Sequence, residues 1–233
     1  MIKCVTLDVW NTIARIDTIY SSLARRVANL KGEPVENVMS TILEVYAEAK
    51  EKRRRAVFNE PRVVEESCRL MAKRLGISVS KLKDLLVEVF MAIDTREVLF
   101  DDALAAIRGL RSLGVKLGII GNTLFWPSAL TRLILARAGI SALVDEALFS
   151  DEVGVCKPDR RIFLEALSRL GVSASESIHV GDGLVEDVGG ALSAGMYAGL
   201  IDRSSRDKIV VKEARLVIVH DLTQLLSVIK ELA

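Results

Sequence analysis

A chain of 233 residues, half of them hydrophobic and 27% charged, has the apolar content for a sizeable core and the wrong composition for disorder. Its 32 basic and 31 acidic side chains leave a formal net charge of +1, which excludes the basic footprint of a nucleic-acid binder and the polybasic face of a membrane-surface protein. No apolar run reaches the roughly 18–20 residues that span a bilayer, and the scattered Cys4, Cys68 and Cys156 form neither a disulfide framework nor a zinc-ligand pattern.

The chain enters a strand at once, with no signal-peptide pattern, so a cytoplasmic location is expected. That first strand reads "VTLDVWNTI" (5–13), its hydrophobic part ending on Asp8, with Thr12 four residues on and Trp10 between them. Residues 15–95 carry only helical periodicity. Ile19, Leu23, Val27 and Leu30 follow Asp17 and Thr18 as N-caps. Val35, Val38, Ile42, Val45 and Ala49 repeat the spacing, then Val64, Cys68, Met71 and Leu75, then Leu82, Leu85 or Leu86, and Val89.

From residue 96 strands alternate with helices. Strands are expected at 115–120, 146–149, 177–181, 197–202 and 215–220, and helices at 128–139, 160–171, 185–195 and 221–232. Single helices between strands imply right-handed crossovers and a parallel sheet covered on both faces. The fold class is therefore α/β: a Rossmann-like parallel sheet core (1–14 and 96–233) with an inserted all-α cap (15–95). In such sheets ligands bind beyond the carboxyl ends of the strands, which puts Asp8, Asn122 and Asp182 on one rim.

Four features fall at strand ends or loops: Asp8 with Thr12, "GNT" (121–123), Lys157 in "GVCKPD", and "GDGLVED" (181–187). The last is not a dinucleotide fingerprint, since Glu186 stands where a third glycine is required. Together, in this order, the four resemble the haloacid dehalogenase-like (HAD) hydrolase superfamily. The likeness extends over essentially the whole chain, through the "VGVCKPDRRIF" loop and helix and the GDxxxxD pattern of "IHVGDGLVEDVGGALSAGM".

The resemblance implies that Asp8 is a nucleophile forming an aspartyl ester. It implies a Mg²⁺ ion held by Asp8, the backbone carbonyl of Trp10, Asp182 and Asp187, and Lys157 as a fixed charge on the nucleophile and the transferring group. Thr12, Trp10, Asn122 and Thr123 become substrate-binding candidates, and the substrate a small anionic molecule. Two positions depart from the family's phosphatases. Where those carry a second Asp to protonate the leaving group and activate water, this chain has Trp10; such general acid–base help is typically worth ~10²–10⁴ in rate. Where they offer Ser or Thr to a phosphate oxygen, it has Gly121, with Thr123 as the nearest substitute.

An aromatic residue at position 10 resembles the haloacid dehalogenases, which expel halide and need no proton donor. Asp182 opposes that reading, because dehalogenases resemble a Ser there and bind no metal. The favoured reading is a Mg-dependent phosphatase of a small phosphorylated metabolite with impaired general acid catalysis. The alternatives are a 2-haloacid dehalogenase and a catalytically weak binding module. Of the remaining features, the basic run "KEKRRR" (50–55) reads as a solvated helix end, with reach from the cap to an anionic substrate as the alternative, His179 as a packed structural residue, and His220 as the residue leading into the last helix. Phe125 and Trp126 read as pocket or core residues, and segments 14–18 and 94–100 as hinges.

Overall fold

A computed structural model describes residues 1–232. Its centre is a seven-stranded sheet in the order β3-β2-β1-β4-β5-β7-β6. The strands are β1 (Cys4–Leu7), β2 (Lys116–Gly121), β3 (Glu146–Phe149), β4 (Ser177–Gly181), β5 (Tyr197–Ile201), β6 (Ile209–Val211) and β7 (Leu216–Val219). All pairings are parallel except β6 with β7, which closes one edge antiparallel. The three-residue β6 is too short and too exposed for an apolar pattern to reveal it.

Alternate strand residues feed two apolar layers, the mark of a sheet buried on both faces. Val5, Leu7, Leu117, Ile119, Ile178 and Val180 pack on one side, with helix α6 (Ala103–Ser112) and the closing helix α11 (Leu225–Glu231). Cys4, Ile120 and Leu148 pack on the other. They meet α9 (Arg160–Leu170) and the short α10 (Gly190–Ser193). Sequence periodicity passed over α6, although Ala103, Ala106, Ile107 and Leu110 form its buried stripe. Helix α7 (Ser128–Arg137) and the single turns α5 (Thr95–Val98) and α8 (Ser150–Val153) complete the covering.

The first strand is shorter than its sequence suggests. β1 stops at Leu7, and residues 9–14 fold into a tight turn. Thr12, Ile13 and Ala14 all donate backbone hydrogen bonds to the Val9 carbonyl (3.3, 2.8 and 2.8 Å). Asn11 takes φ +61°, a left-handed conformation that asparagine tolerates better than most residues.

Four helices lie between β1 and α5: α1 (Ile16–Lys31), α2 (Val35–Arg54), α3 (Val63–Leu75) and α4 (Val79–Ala92). Their buried faces are those the spacing specifies, except that Val35 and Val64 are only partly buried and Leu30 is half exposed, with Tyr20, Ala24 and Ala28 completing the face of α1. Asp17 is not the N-cap of α1. The helix opens at Ile16, so Asp17 sits in its first turn, where a carboxylate favours the helix dipole. Apolar packing runs without a break from the sheet into these helices. The two chain crossings pair with one another: Arg15 N donates to Val98 O (2.7 Å) and Phe100 N to Ile13 O (3.0 Å).

Candidate active site

The chain winds from β1 outward through β2 to β3, then returns to place β4 on the other side of β1. The crevice at that reversal is where open α/β sheets take ligands. Asp8 leaves β1 there, Asn122 leaves β2 and Asp182 leaves β4.

Lys157 ties the rim together. It is 2% exposed, and its ammonium donates to Asp8 Oδ1, Asp187 Oδ1 and the Ile120 carbonyl, each at 2.6 Å. Burial alone would lower its pKa, but Asp187 and Asp8 outweigh that and raise it. The loop carrying Lys157 is fixed by Asn122, whose Oδ1 accepts from Lys157 N (2.8 Å) and whose Nδ2 donates to Lys157 O (3.0 Å). Asn122 lines the cavity with its amide already engaged on both sides, so it positions the lysine loop.

Asp187 reaches the same point by folding back. Its Oδ2 accepts from Gly183 N (2.9 Å), and Asp187 N and Val188 N both bond the Gly183 carbonyl (3.0 and 3.1 Å). The expected helix over 185–195 therefore begins with a wide π-helical turn, Leu184–Gly189, before α10. Gly181 makes room: a Cβ there would sit 2.2 Å from Asp187 Cγ.

His179, read from sequence as packing, supports this carboxylate. Nε2 lies 3.1 Å from Asp187 Oδ1 and Nδ1 2.9 Å from Thr6 Oγ1. Burial pushes its pKa down to about 4, so the ring is neutral, donating to Asp187 and accepting from Thr6. The available signal was the register, which sets Thr6 opposite His179 on neighbouring apolar strands. Asn11 is a second missed residue: Nδ2 donates to Asp182 Oδ2 at 3.3 Å.

Oxygen atoms of Asp8, Asp182 and Asp187 all lie within 4.8 Å of one another. Burial pushes the Asp8 carboxyl up to about 7; Lys157 opposes this, and Asp187 and Asp182 add to it. Asp182 opens onto the cavity, and its enclosed setting and Asp187 raise it as well. Asp187 goes the other way: burial would raise it, but Lys157 and the His179 bond hold it well below the usual carboxylate range. Lys157 pairs with two of the three carboxylates, and the excess of hard oxygen donors suits a small divalent cation.

Trp10 turns away from acid–base work. It meets Trp126 edge-on (5.4 Å between centroids, 82°) and Phe90 of α4 likewise (6.4 Å, 84°), forming part of the wall of a cavity of about 90 Å³. Trp126 is buried and donates from Nε1 to Thr131 Oγ1 (3.2 Å), while Phe125 packs behind it against Tyr20 and Tyr46.

Two sequence candidates stand outside the cavity lining. Thr12 is fully buried, its carbonyl accepting from Arg203 Nη2 (2.8 Å). Thr123 is turned to Ser150, whose Oγ accepts from Thr123 N (3.0 Å) and lies 3.1 Å from its hydroxyl. Nor is there space for a side chain at 121, since a Cβ there would come within 2.7 Å of the Phe149 ring. The basic run 50–55, expected to be solvated, is split instead. Lys50 and Arg53 line the cavity. Arg53 bonds Glu60 (3.2 and 2.9 Å) and Ser150 (2.9 Å), and Arg54 clasps Glu186 (2.8 and 3.1 Å). Lys52 and Arg55 make ordinary helix-surface pairs.

Known proteins match this arrangement. The haloacid dehalogenase-like hydrolase family matches residues 2–195. A glyceraldehyde 3-phosphate phosphatase of Methanopyrus kandleri is 31% identical over 209 residues, 87% of this chain and 85% of that one. A phosphoserine phosphatase of Thermus thermophilus is 36% identical over 121 residues, 52% of this chain and 47% of that one. Among solved structures, the HAD-hydrolase YfnB from Bacillus subtilis, bound to magnesium, superposes with a TM-score of 0.76 over 98% of both chains at 18% identity.

Proposed function

Because the chain belongs to the haloacid dehalogenase-like hydrolases, we propose that it is a Mg²⁺-dependent phosphatase of a small phosphorylated metabolite, working through an aspartyl-phosphate at Asp8. The observation that carries the reading is the junction of Lys157 with Asp8 and Asp187, 2.6 Å from each, beside a third carboxylate. Two phosphatases among its relatives support the same class of reaction.

In this reading Asp8 Oδ attacks phosphorus, the bond to the leaving oxygen breaks, and water then cleaves the aspartyl-phosphate to release inorganic phosphate. Asp8, Asp182, Asp187 and the Trp10 carbonyl are the ligands for Mg²⁺, which when bound offsets the repulsion between these carboxylates and a phosphate dianion. Lys157 places its ammonium on the nucleophile without needing to move, since Asn122 and the Ile120 carbonyl hold it. Thr6 and His179 keep Asp187 in place. Helices α1–α4 act as a cap over the rim, hinged where residues 13–15 and 98–100 pair, and exclude water when shut.

Trp10 offers no proton to the leaving oxygen, so activated leaving groups are favoured over alkoxides. The same residue supports the second reading, displacement of halide from a 2-haloacid, which Asp182 opposes.

The test is phosphate release from p-nitrophenyl phosphate and acetyl phosphate with and without Mg²⁺, beside chloride release from 2-chloropropionate. Mg-dependent phosphate release, faster for these activated substrates than for an alkyl phosphate, is the expected result. Chloride release indifferent to EDTA would replace the phosphatase reading with the dehalogenase one.

A further inference from the structure

Two residues of the insert that line the cavity, Tyr20 and Lys50, each keep a polar group without a protein partner among the described residues. Tyr20, on α1, is 1% exposed, yet its hydroxyl has no hydrogen-bond partner among the described residues. Buried hydroxyls nearly always have one, so the exception calls for an acceptor. Lys50, on α2, lines the same cavity half-buried, without a carboxylate partner among the described residues, its ammonium 5.4 Å from the Tyr46 ring centroid. Its neighbours Arg53 and Arg54 are already engaged by Glu60, Ser150 and Glu186. Tyr46 links the two free groups, for its ring also lies 5.3 Å from that of Tyr20. Trp10, Ile16, Leu124 and Trp126 make the apolar part of the wall; Asp182 and Glu186 face the same cavity, and the Lys50 charge acts on both.

An ammonium and a phenol hydroxyl both donate, so the group they jointly fit is an acceptor, and the ammonium favours one with negative charge. Phosphoryl binding already has its own cation in Lys157, on the sheet side. The cavity of about 90 Å³ is far below the roughly 300–1,000 Å³ of sites that take drug-sized ligands, which favours a short substrate. We propose that Lys50 and Tyr20 form a carboxylate subsite, and that the substrates are short phosphorylated carboxylic acids in which a few bonds separate the phosphate from the carboxylate. The substrate class rests on the phosphatase reading; the subsite does not.

Non-hydrolysable ligands separate the two. Calorimetric titration of the full chain with Mg²⁺ present compares 3-phosphonopropionate with propylphosphonate, which has the same carbon chain and no carboxylate. The carboxylate ligand is expected to bind about tenfold tighter or better, the usual worth of a charge-assisted hydrogen bond. Lys50→Gln should remove most of that preference. Tyr20→Phe, which keeps the ring packing, should remove a smaller part.

Equal affinities in the unaltered protein, no measurable binding of either ligand, or a Lys50→Gln variant that weakens both by the same factor would overturn the subsite. Phosphate release from p-nitrophenyl phosphate by the same preparation reports separately on the hydrolase. Turnover without a carboxylate preference removes the subsite alone. A carboxylate preference without turnover keeps the subsite and removes the phosphatase reading.

Discussion

The two sides of the cavity are built on opposite rules. On the sheet side the charged groups are buried and partnered: Lys157 has three acceptors within 2.6 Å, and Asp187 is held by Lys157, His179 and Gly183. On the insert side, Tyr20 and Tyr46 form an aromatic wall, and beside the paired Arg53 and Arg54 a hydroxyl and an ammonium have no partner among the described residues. A reacting centre gains from donors fixed before the substrate arrives, because nothing then has to reorganise during the reaction. A recognition surface works the other way, since a group left unsatisfied becomes affinity only for a ligand that satisfies it. On the proposed reading, the sheet sets which bond is attacked and the insert sets whose bond it is.

Substitutions on each side test that division. Asp8→Asn should cut phosphate release by roughly 10³-fold or more while the fold survives, because the amide oxygen still accepts from Lys157. Turnover close to the unaltered rate would remove Asp8 as the nucleophile. Lys157→Met strands two buried carboxylates without their cation, so urea unfolding should show a loss of about 3–5 kcal/mol. A loss below about 1 kcal/mol would mean that the sheet side is far less tightly determined than its distances suggest.

Smaller effects are expected at the margins of the comparison. Gly121→Ser puts a side chain against the Phe149 ring and should cost about 1–3 kcal/mol. Phe149→Val should relieve most of that cost, giving a double variant more stable than the sum of the two singles. Arg54→Gln breaks the clasp to Glu186 between insert and rim, a pair whose arginine is exposed, and should change stability by less than about 1 kcal/mol. The difference between variant and parent should vanish in high salt; one that persists would mark the clasp as shielded from solvent.

What could be read from the sequence was local, and what could not was the meeting of distant segments. Strands β2 to β5 were legible because strands of a covered parallel sheet are short and rich in apolar residues, and Asp8, Lys157, Asp182 and Asp187 because together they resemble a known family's motifs. His179 is the packed structural residue its place in a strand suggests, but what it supports is visible only through the register of β1 with β4, since its partner Thr6 is 173 positions away. Thr123 and Thr12 sit at plausible spacings, yet Ser150 takes the hydroxyl of one and the turn after β1 buries the other. Periodicity placed the basic run at the end of α2 but could not tell that the helix end faces the rim, so Lys50, Arg53 and Arg54 looked like solvated charge.

One feature of the fold bears on how such a protein is remade. The chain leaves for α1 and returns after α5 through neighbouring segments, with Ala14 bridged to Leu99 and Arg15 bonded to both Val98 and Leu99. Everything between passes through a single doorway one hydrogen bond wide. A segment whose ends meet in this way can be exchanged for another of different length without lengthening any other loop or altering a strand crossover. The constraint on a replacement lies in its underside, which must cover the apolar surface that α1 and α4 now share with Trp10, Trp126 and α7.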